Sequence, residues 1–492
     1  MKDYTWLNWT LLLGSFAVMI GIGIITSLRL KSGNGEEGFL LAGRSLGPFV
    51  GAGTIVATGF SGWGFMGSPG VAYEFGTVEV LGNFFFAPAM VIAVLYFAKF
   101  LRKRAESLGS CTIPEYVAQV HGTTERSTRL LKGVAAVISI VLLMVFMVGQ
   151  IKAVGLLASS WLGISLTQGS ILIVSVIVIY TMMGGLTAVA WTDTLMTVGM
   201  VVAAILIMMN VFNEISLMDL ITRLNEIDPA LANPETARPY GESKGSVFLV
   251  LPYAFLFTAV VPYMAVRFLA FKSTTKMTHV AAYLAPMAVI LSLVPIVGLY
   301  VRVTHPEVLE HADSAMPTFL THYLSPGLAA MVTLFIMFMM MSTATSLLHS
   351  VSSAVSHDLR TALVPRTRMN ANGVLWINRL GICTLGATAL ILMLFAPPFM
   401  LSWLGILGLG SLLAAMIGPV FISTFFQGTV AGALCAMVVG LFTSGYLLLA
   451  TDIGWVEGPL IGCALSSFIY ITVSKMTRPQ ANLNTMSQYA RS

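Results

Sequence analysis

Apolar residues occur along this chain in long runs, and short polar breaks separate one run from the next. Most runs are about 20 residues long, which is the length at which a helix crosses the hydrocarbon core of a bilayer. The pattern therefore predicts an all-α polytopic membrane protein with about 13 transmembrane helices. We place these helices near residues 6–28, 48–72, 78–100, 133–158, 166–184, 188–212, 246–270, 279–301, 327–350, 374–396, 399–424, 428–450 and 456–474.

The composition also indicates a membrane protein. Of the 492 residues, 57% are hydrophobic and only 10% are charged, and the mean hydropathy is +0.87. Soluble proteins carry about 25% charged residues, so a soluble enzyme or binding protein is excluded. The sequence contains no Walker A motif, no HExxH metal motif and no nucleophile elbow, and nothing in it indicates an enzyme.

The charged residues are divided between the two sides of the membrane. If the N-terminus is outside, the cytoplasmic segments hold 20 of the 26 Lys and Arg residues, and 14 of the 21 acidic residues lie outside. An excess of Lys and Arg marks cytoplasmic segments, so we predict that the N-terminus is outside and the C-terminus is cytoplasmic. The net charge of +5 follows from this division and does not indicate a nucleic-acid partner.

Two of the predicted helices contain residues that weaken helices. The stretch 43–70 holds nine glycines and two prolines, and the span 246–270 is interrupted at Pro252 and Pro262. Irregular backbone inside a membrane is tolerated where protein, water or an ion satisfies the freed groups. Such breaks form the binding sites of many transporters. The alternative, that the glycines only allow close helix packing, remains open on this pattern alone.

The two weakened helices lie five spans apart, which is the spacing expected of inverted repeats. Spans two to six would then mirror spans seven to eleven. We therefore predict one transmembrane domain, 1–478, with repeats at about 47–213 and 246–424. One helix precedes the repeats, two follow them, and residues 479–492 form a short cytoplasmic tail.

Span nine contains a group of hydroxyl side chains in an apolar helix. Ser342, Thr345 and Ser346 share one helical face, and Thr343 lies at its edge. Hydroxyl oxygens grouped in this way can bind a hard cation together with carbonyls of an unwound helix. A single Ser or Thr in a membrane helix more often bonds a carbonyl one turn earlier, and that alternative remains open for each residue.

Several charged or polar residues lie inside or near the spans. Asp193 is a candidate functional carboxylate because carboxylates inside membranes are costly, and a solvent-exposed position at the helix start is an equal alternative. Lys152 either extends toward the membrane surface or pairs with a substrate carboxylate beside Gln150. Arg267 and Arg379 fall near predicted cytoplasmic helix ends, and we expect both to be anchors at the membrane interface.

Four segments together resemble the sodium:solute symporter family: LAGRSLGPFVGAGTIVATGFSGWGFMGSPG, GGLTAVAWTDT, PYMAVRFLAFKS and MMMSTATSLLHSVSSAVSHDL. The resemblance runs over nearly the whole chain, in the same order and spacing. It implies a LeuT-type fold of thirteen helices with a five-helix inverted repeat. It also implies sodium-driven symport in the cell membrane of a bacterium or archaeon, which is the inner membrane of a Gram-negative cell.

The resemblance implies two sets of sodium ligands, with Na+ as the coupling ion. The positions that match the family's shared sodium site are Ala57, Phe60, Met339, Ser342 and Thr343. Some family members bind a second sodium ion, and the matching positions are Asp193, Ser342, Thr345 and Ser346.

The resemblance also implies that the solute binds between the two broken helices. The expected contacts are Ser61, Gly62, Trp63, Gln150, Lys152, Thr258 and Pro262. The family's proline carrier has an acidic residue where this chain has Gly59, and its aromatic residues in the second broken helix match Ala254 and Thr258. A pantothenate-like monocarboxylate that pairs with Lys152 is therefore favoured over proline.

Three alternatives stay open at this point. They are a sodium-coupled amino-acid symporter, a proton-coupled carrier on the same fold, and a membrane protein that senses a solute without moving it. The short C-terminal tail argues against the sensor. We expect a monomer whose partners are a small solute and the lipid bilayer.

Overall fold

The structure is a computed structural model that describes residues 5–30, 35–235, 238–305, 307–364, 371–395 and 401–478. Most residues in these ranges lie in helices, and no β-strand occurs among them. The prediction of an all-α protein is therefore confirmed. The predicted cytoplasmic tail, 479–492, lies outside the described residues.

The described residues up to Glu214 form nine α-helices. They are α1 (Thr5–Leu30), α2 (Gly35–Leu41), α3 (Pro48–Gly62), α4 (Ser68–Phe75), α5 (Thr77–Ile92), α6 (Lys99–Leu108), α7 (Ile113–His121), α8 (Glu125–Leu162) and α9 (Leu166–Glu214). A π-helical turn, Trp63–Gly67, joins α3 to α4, and another, Ala93–Ala98, joins α5 to α6.

The rest of the chain begins with two short helices and continues with the second set of long ones. They are α10 (Leu217–Ile227), α11 (Pro229–Ala232), α12 (Val250–Val260), α13 (Pro262–Ala270), α14 (Met277–Leu291), α15 (Ile296–Thr304), α16 (Ala315–His322), α17 (Pro326–Ser353), α18 (Arg360–Leu363), α19 (Ala371–Leu394), α20 (Leu401–Gly405), α21 (Ser411–Met416), α22 (Val430–Ala450) and α23 (Glu457–Thr477). The π-helical turn Ala354–Leu359 extends α17.

Eleven helical segments among the described residues are long and apolar enough to cross a membrane, and the bent pair α12–α13 makes twelve. Helix α9 has 49 residues, so it is about 74 Å long, more than twice the thickness of a hydrocarbon core. Gly185 interrupts it with a φ of 53° and a ψ of −147°, which are not helical. The predicted spans 166–184 and 188–212 lie on the two sides of this break, with no loop between them. The count of thirteen stays a prediction.

Local sequence determines where the long helices begin. The Ser127 amide donates to the Thr124 hydroxyl at 3.2 Å and the Ser127 side chain bonds back, so α8 begins with a reciprocal capping box. Ser165 and Gln168 make the same arrangement at the start of α9. Pro48 is the first residue of α3, where its missing N–H removes no helical hydrogen bond.

Both predicted broken helices are confirmed. The chain leaves helical geometry at Ser61, whose φ of 40° and ψ of −176° interrupt the run from α3 into α4. A bend of 58° at Val261 separates α12 from α13. Pro262 begins α13, where a proline is tolerated, whereas Pro252 lies in the first turn of α12 and does not interrupt it.

The first broken helix packs between the second broken helix and two long helices. The Leu46 amide donates to the Ala270 carbonyl and the Leu46 carbonyl accepts from the Lys272 amide, both at 3.1 Å, so the start of α3 is joined to the end of α13. A Cβ atom on Gly53 would lie 2.9 Å from the Thr194 side chain, so glycine allows α3 to approach α9. Helix α3 also contacts α17, which brings the first break next to the hydroxyl residues of that helix.

Ion pairs join the helix ends where α2, α7 and the extension of α17 meet. His357 lies 2.7 Å from Glu36 and 3.1 Å from Glu115, and Lys132 lies 2.7 Å from Glu115. Burial raises the pKa of Glu115, but the hydrogen bonds and charges of His357 and Lys132 lower it by more, so this pKa lies well below its usual value. The ionised carboxylate therefore ties α7 to α8 and to the end of α17.

Candidate functional site

The break after α3 frees backbone groups that neighbouring side chains satisfy. The Gly62 amide donates to the Gln150 side-chain oxygen from α8 at 3.0 Å. The Trp63 amide donates to the Ser61 hydroxyl at 3.1 Å. Gln150 is fully buried, and its side-chain nitrogen has no hydrogen-bond partner among the described residues. Since buried polar groups are normally paired, this nitrogen is a donor that a bound molecule can use.

Immediately before the break, two hydroxyl groups of α17 face the carbonyl of Ala57. Ser342 donates to the Ala57 carbonyl at 3.2 Å and to the Met339 carbonyl at 2.8 Å. The Thr343 hydroxyl lies 3.5 Å from the first of these carbonyls and 3.3 Å from the second. All four residues are fully buried. We call them the Ala57 cluster, and they are four of the five residues predicted to bind the first sodium ion.

The fifth predicted residue, Phe60, lies at the end of the same helix and is also buried. Its carbonyl accepts the Trp63 amide at the start of the π-helical turn. The oxygens of the Ala57 cluster are hydroxyls and carbonyls, without a formal charge among them. Oxygen ligands are those that hard cations prefer, so the residues present fit a sodium ion.

Arg267 is not an anchor at the membrane interface, and that prediction is wrong. It is the largest fully buried side chain among the described residues, and its guanidinium lies 3.4 Å from the carboxylate of Asp193. Charged side chains within a membrane usually face the bundle interior and pair with one another. The prediction failed because α13 runs among α3, α6, α7 and α17 rather than along the surface, so position near a helix end did not mean exposure.

Four helices contribute side chains to a group that contains this ion pair. We call this group the buried polar cluster, and it consists of Thr54, Thr58, Asp193, Arg267 and Ser346. Thr54 donates to the Asp193 carboxylate at 2.7 Å and accepts from Arg267 at 3.1 Å. Ser346 accepts from Arg267 and lies 3.4 Å from Asp193, and the Thr58 hydroxyl lies 3.3 Å from that of Ser346. The second carboxylate oxygen of Asp193 has no hydrogen-bond partner among the described residues.

The residues predicted to form a second sodium site are divided between different surroundings. Asp193 and Ser346 belong to the buried polar cluster, where one guanidinium nitrogen contacts both. Ser342 belongs to the Ala57 cluster, and Thr345 hydrogen-bonds the hydroxyl of Tyr180 in α9. The structure thus brings two of the four predicted residues together.

A cavity of about 590 Å³ lies beside the first break. Met66 from the π-helical turn and Lys152 from α8 line it, together with acidic residues that include Glu74 and Asp313. Gln150 does not line this cavity, because residues two positions apart on a helix face different directions. Lys152 therefore faces the cavity while Gln150 faces the break.

The solute contacts predicted in the second broken helix are both buried. The Thr258 hydroxyl donates to the Ala254 carbonyl of its own helix at 2.8 Å. Pro262 lines a separate, small cavity of about 20 Å³. Neither residue lines the cavity that Lys152 faces, so their role in solute binding stays a prediction.

A series of aromatic rings connects the two breaks, and no pattern in the sequence predicted it. The ring centroids of Trp63 and Phe86 are 5.8 Å apart, those of Phe86 and Phe257 are 6.2 Å apart, and those of Phe257 and Tyr263 are 6.0 Å apart. Tyr263 also lies 6.5 Å from Phe146, and its buried hydroxyl has no partner among the described residues. Aromatic residues are common in membrane helices, so their spacing alone did not distinguish these rings.

The ion-pair role of Arg267 could have been recognised from its context. It follows 21 residues, 246–266, that carry no charge. An isolated arginine inside such a run calls for a buried carboxylate, and Asp193 is the carboxylate that the sequence offers in span six. Thr54 and Thr58 carried no such signal, because a threonine in a membrane helix usually bonds its own helix.

Gly59 occupies the position at which the family resemblance suggested an acidic residue in the proline carrier. A Cβ atom there would lie 1.8 Å from the terminal methyl of Met90 in α5 and 3.4 Å from that of Met264 in α13. The space beside residue 59 is therefore filled by methionine side chains, and this position presents no charge to the break.

Known proteins resemble this chain over most of its length. The Sodium:solute symporter family matches residues 39–440. The sodium/pantothenate symporter of Haemophilus influenzae is 27% identical over 450 residues, which cover 89% of this chain and 88% of that protein. The high-affinity proline transporter PutP of Bacillus subtilis is 26% identical over 453 residues, which cover 88% of each protein.

Two solved structures share the fold. A Na+-coupled sialic acid symporter in a substrate-bound outward-open state matches with a TM-score of 0.77 at 17% identity, over 97% of this chain and 99% of that one. Mhp1, a nucleobase-cation-symport-1 family transporter, matches with a TM-score of 0.56 at 16% identity, over 89% and 94% of the two chains. The predicted LeuT-type fold is confirmed.

We expect removal of one charge of the ion pair to be more harmful than removal of both. Arg267→Met leaves the Asp193 carboxylate buried without its cation, which should cost about 3–5 kcal/mol. The double variant Asp193→Asn/Arg267→Met removes both charges and should recover most of this loss. The measurement is the midpoint of unfolding by heat and by SDS in detergent micelles. Equal midpoints for Arg267→Met and the unaltered protein would contradict the ion pair.

Proposed function

The chain belongs to the sodium:solute symporter family and is a sodium-coupled symporter, and we propose that its solute is a small monocarboxylate of the pantothenate type. The observation that carries the proposal is the Ala57 cluster. It lies directly beside a helix break at which the Gln150 nitrogen has no hydrogen-bond partner among the described residues. An ion site and a solute site in contact through one broken helix are what coupled transport requires.

We propose that sodium binds the Ala57 cluster, which consists of Ala57, Met339, Ser342 and Thr343, and also the Phe60 carbonyl. The ion would replace the hydrogen bonds that Ser342 and Thr343 make to two carbonyls, and it would satisfy all these oxygens at once. It would thereby join the first broken helix to α17. Sodium would favour the conformation in which these two helices lie together, because a ligand stabilises the state that binds it more tightly.

The proposed solute site is the break itself, with Ser61, Gly62 and Trp63 on one side and Gln150 opposite. The Gln150 nitrogen and the Tyr263 hydroxyl are buried donors without a partner among the described residues, and a carboxylate accepts hydrogen bonds from such donors. Thr258 and Pro262 of the second broken helix complete the proposed contacts.

Lys152 has a different place in the proposal. It lines the cavity of about 590 Å³ beside the break, so its ammonium group would attract an anionic solute and bind its carboxylate before the solute reaches Gln150. Residue 59 supports an anion as well, since Gly59 presents no carboxylate that would repel one.

In the proposed cycle, sodium and solute bind from one side of the membrane and leave on the other. Each raises the affinity for the other, since both bind one arrangement of the broken helix and thermodynamic linkage is reciprocal. Release on the second side follows when the broken helices move against α9 and α17, as in transporters built from inverted repeats.

We also propose the orientation and the internal repeats. The N-terminus would be outside, in the plasma membrane, and the transporter would function as a monomer. Repeats at about 47–213 and 246–424 receive support from the breaks, since Ser61 lies 14 positions after residue 47 and Val261 lies 15 positions after residue 246. The two breaks thus occupy equivalent positions, as expected of the first helix of each repeat.

Loss of either hydroxyl from the sodium site should weaken sodium dependence. We expect Ser342→Ala and Thr343→Ala each to raise the sodium concentration for half-maximal uptake about tenfold, which corresponds to about 1.4 kcal/mol for one lost ligand. Ser353→Ala is a matched control on the same helix, because its hydroxyl bonds the His349 carbonyl of its own helix. Sodium dependence that is unchanged in both site variants would refute these ligands.

Solute selectivity tests the roles of Lys152 and Gln150. Counterflow into proteoliposomes should favour pantothenate and related monocarboxylates over proline and other zwitterions. Lys152→Met should reduce carboxylate uptake at least about tenfold, since hydrogen bonds to charged groups contribute about 1.5–3 kcal/mol, and Lys152→Arg should retain more of it. Gln150→Leu should also reduce it. A preference for zwitterions, or full activity in Lys152→Met, would refute the monocarboxylate assignment.

The coupling ion separates this proposal from a proton-coupled carrier on the same fold. Uptake should require sodium and should be lost when choline replaces it, at pH 5.5 as well as at pH 7.5. An inward proton gradient without sodium should not restore it. Uptake in sodium-free buffer at acid pH would favour the proton-coupled carrier instead.

A further inference from the structure

The buried polar cluster has the composition of a cation site. It offers one carboxylate, from Asp193, and hydroxyl oxygens from Thr54, Thr58 and Ser346, all of them buried. Carboxylate and hydroxyl oxygens are ligands of hard cations. One oxygen of Asp193 has no hydrogen-bond partner among the described residues, so the carboxylate is not fully used by protein donors.

A cation is already present in this cluster, because the guanidinium of Arg267 lies within it. Its Nη2 atom is 3.4 Å from the Asp193 carboxylate and donates to the Ser346 hydroxyl, and its Nε atom donates to the Thr54 hydroxyl at 3.1 Å. The guanidinium thus contacts three of the four oxygen-bearing side chains. Its Nη2 atom contacts both Asp193 and Ser346, whose oxygens lie 3.4 Å apart, so it occupies the position that a metal ion bound to both would take.

The charges in this cluster exclude a further cation. Asp193 and Arg267 are both fully buried, and together they are neutral. A sodium ion bound here would place two positive charges against one carboxylate, at a distance where repulsion inside a protein is strong. It would also have to displace the Arg267 guanidinium from its hydrogen bonds to Thr54 and Ser346. Among the described residues, Asp193 is the only acidic side chain within ion-pair distance of this guanidinium.

We propose that Arg267 is a built-in cation that occupies a second ion site, so that this chain binds one exchangeable sodium ion per cycle. The single sodium ion binds the Ala57 cluster, which is the site given under the proposed function, and this inference rests on that assignment. Asp193 and Ser346 are then not sodium ligands in this chain. One sodium ion carried with a monocarboxylate anion moves no net charge across the membrane.

The arginine also explains why the site need not be filled from solution. A tethered cation is present whether or not sodium is bound, and in this conformation it connects α13 to α3, α9 and α17. A second sodium ion would hold these helices only after binding. Arg267 is therefore a positioning residue that sets how many ions are coupled.

The test is the number of sodium ions that the purified chain binds. The full chain in nanodiscs is titrated with ²²Na+ against choline, and the saturated ratio and the Hill coefficient are measured. We expect one ion per chain and a Hill coefficient of about 1, since independent single-site binding gives this value. Two ions per chain in the unaltered protein would overturn the proposal.

Two variants test whether the arginine occupies an ion site. Arg267→Ala vacates the position and leaves the Asp193 carboxylate, so it should bind two sodium ions with a Hill coefficient above 1. Asp193→Asn/Arg267→Ala removes both charges and should bind one. A folded Arg267→Ala variant that still binds one ion would overturn the proposal. If that variant does not fold, the double variant Asp193→Asn/Arg267→Ala provides the test, since it should still bind one sodium ion at the Ala57 cluster. Loss of that ion would show that sodium binds in the buried polar cluster, and it would overturn the proposal.

Failure of this inference can be distinguished from failure of the sodium site proposed above. The combined variant Ser342→Ala/Thr343→Ala should lose the single sodium ion while Arg267 and Asp193 stay intact. A retained ion in this variant would refute the Ala57 cluster as the sodium site. A ratio of two in the unaltered protein, with one ion lost in this variant, would leave that site intact and refute only the role of Arg267.

Discussion

A backbone group that leaves a helix inside a membrane needs another hydrogen-bond partner, because lipid tails cannot form hydrogen bonds and bulk water is absent there. The break after α3 meets this requirement through side chains from distant parts of the chain. Gln150 of α8 accepts the Gly62 amide, and Ser342 of α17 donates to the Ala57 carbonyl. The groups that make the break tolerable are therefore the same groups that we propose as the ion and solute sites.

Thr54 lies one turn before Ala57 on the same broken helix, and it contacts both members of the ion pair of Arg267 and Asp193. The ion pair joins α13 to α9, while the Ala57 cluster joins α3 to α17. Both contacts therefore lie between the pair of broken helices and the long helices beside them. A conformational change that separates the broken helices from the long helices has to alter the ion pair as well as the Ala57 cluster, which is the proposed sodium site. In the role proposed for Arg267, a tethered cation would compensate the buried Asp193 carboxylate whether or not sodium is bound, and an uncompensated buried charge is costly.

The Ala57 cluster and the buried polar cluster differed in how far they could be predicted. The Ala57 cluster was predictable, because hydroxyls on one face of α17 and glycines in α3 each leave a local pattern and the family resemblance relates the two. The buried polar cluster was predictable only in part. Asp193 and Ser346 were predicted to lie together, but Arg267 near the end of a predicted span was interpreted as a surface residue, and Thr54 and Thr58 gave no signal. The aromatic series from Trp63 to Tyr263 left no pattern that differs from rings in contact with lipid. The sequence predicted that Lys152 and Gln150 act side by side on the solute. In the structure, Lys152 faces the cavity and Gln150 faces the break, because residues two positions apart on a helix point in different directions.

The sequence by itself determined the class of protein, its all-α fold and the two broken helices, because bilayer thickness acts on every span and glycine and proline act on the residues next to them. These are local effects, and a local pattern records them. Only the tertiary structure decided which charge meets which, since Arg267 and Asp193 are 74 residues apart and nothing between them encodes their distance. It also decided that α9 turns at Gly185 without a loop, and that a methionine methyl fills the space beside Gly59. Such pairings depend on how helices pack against each other, and packing is a property of the whole bundle.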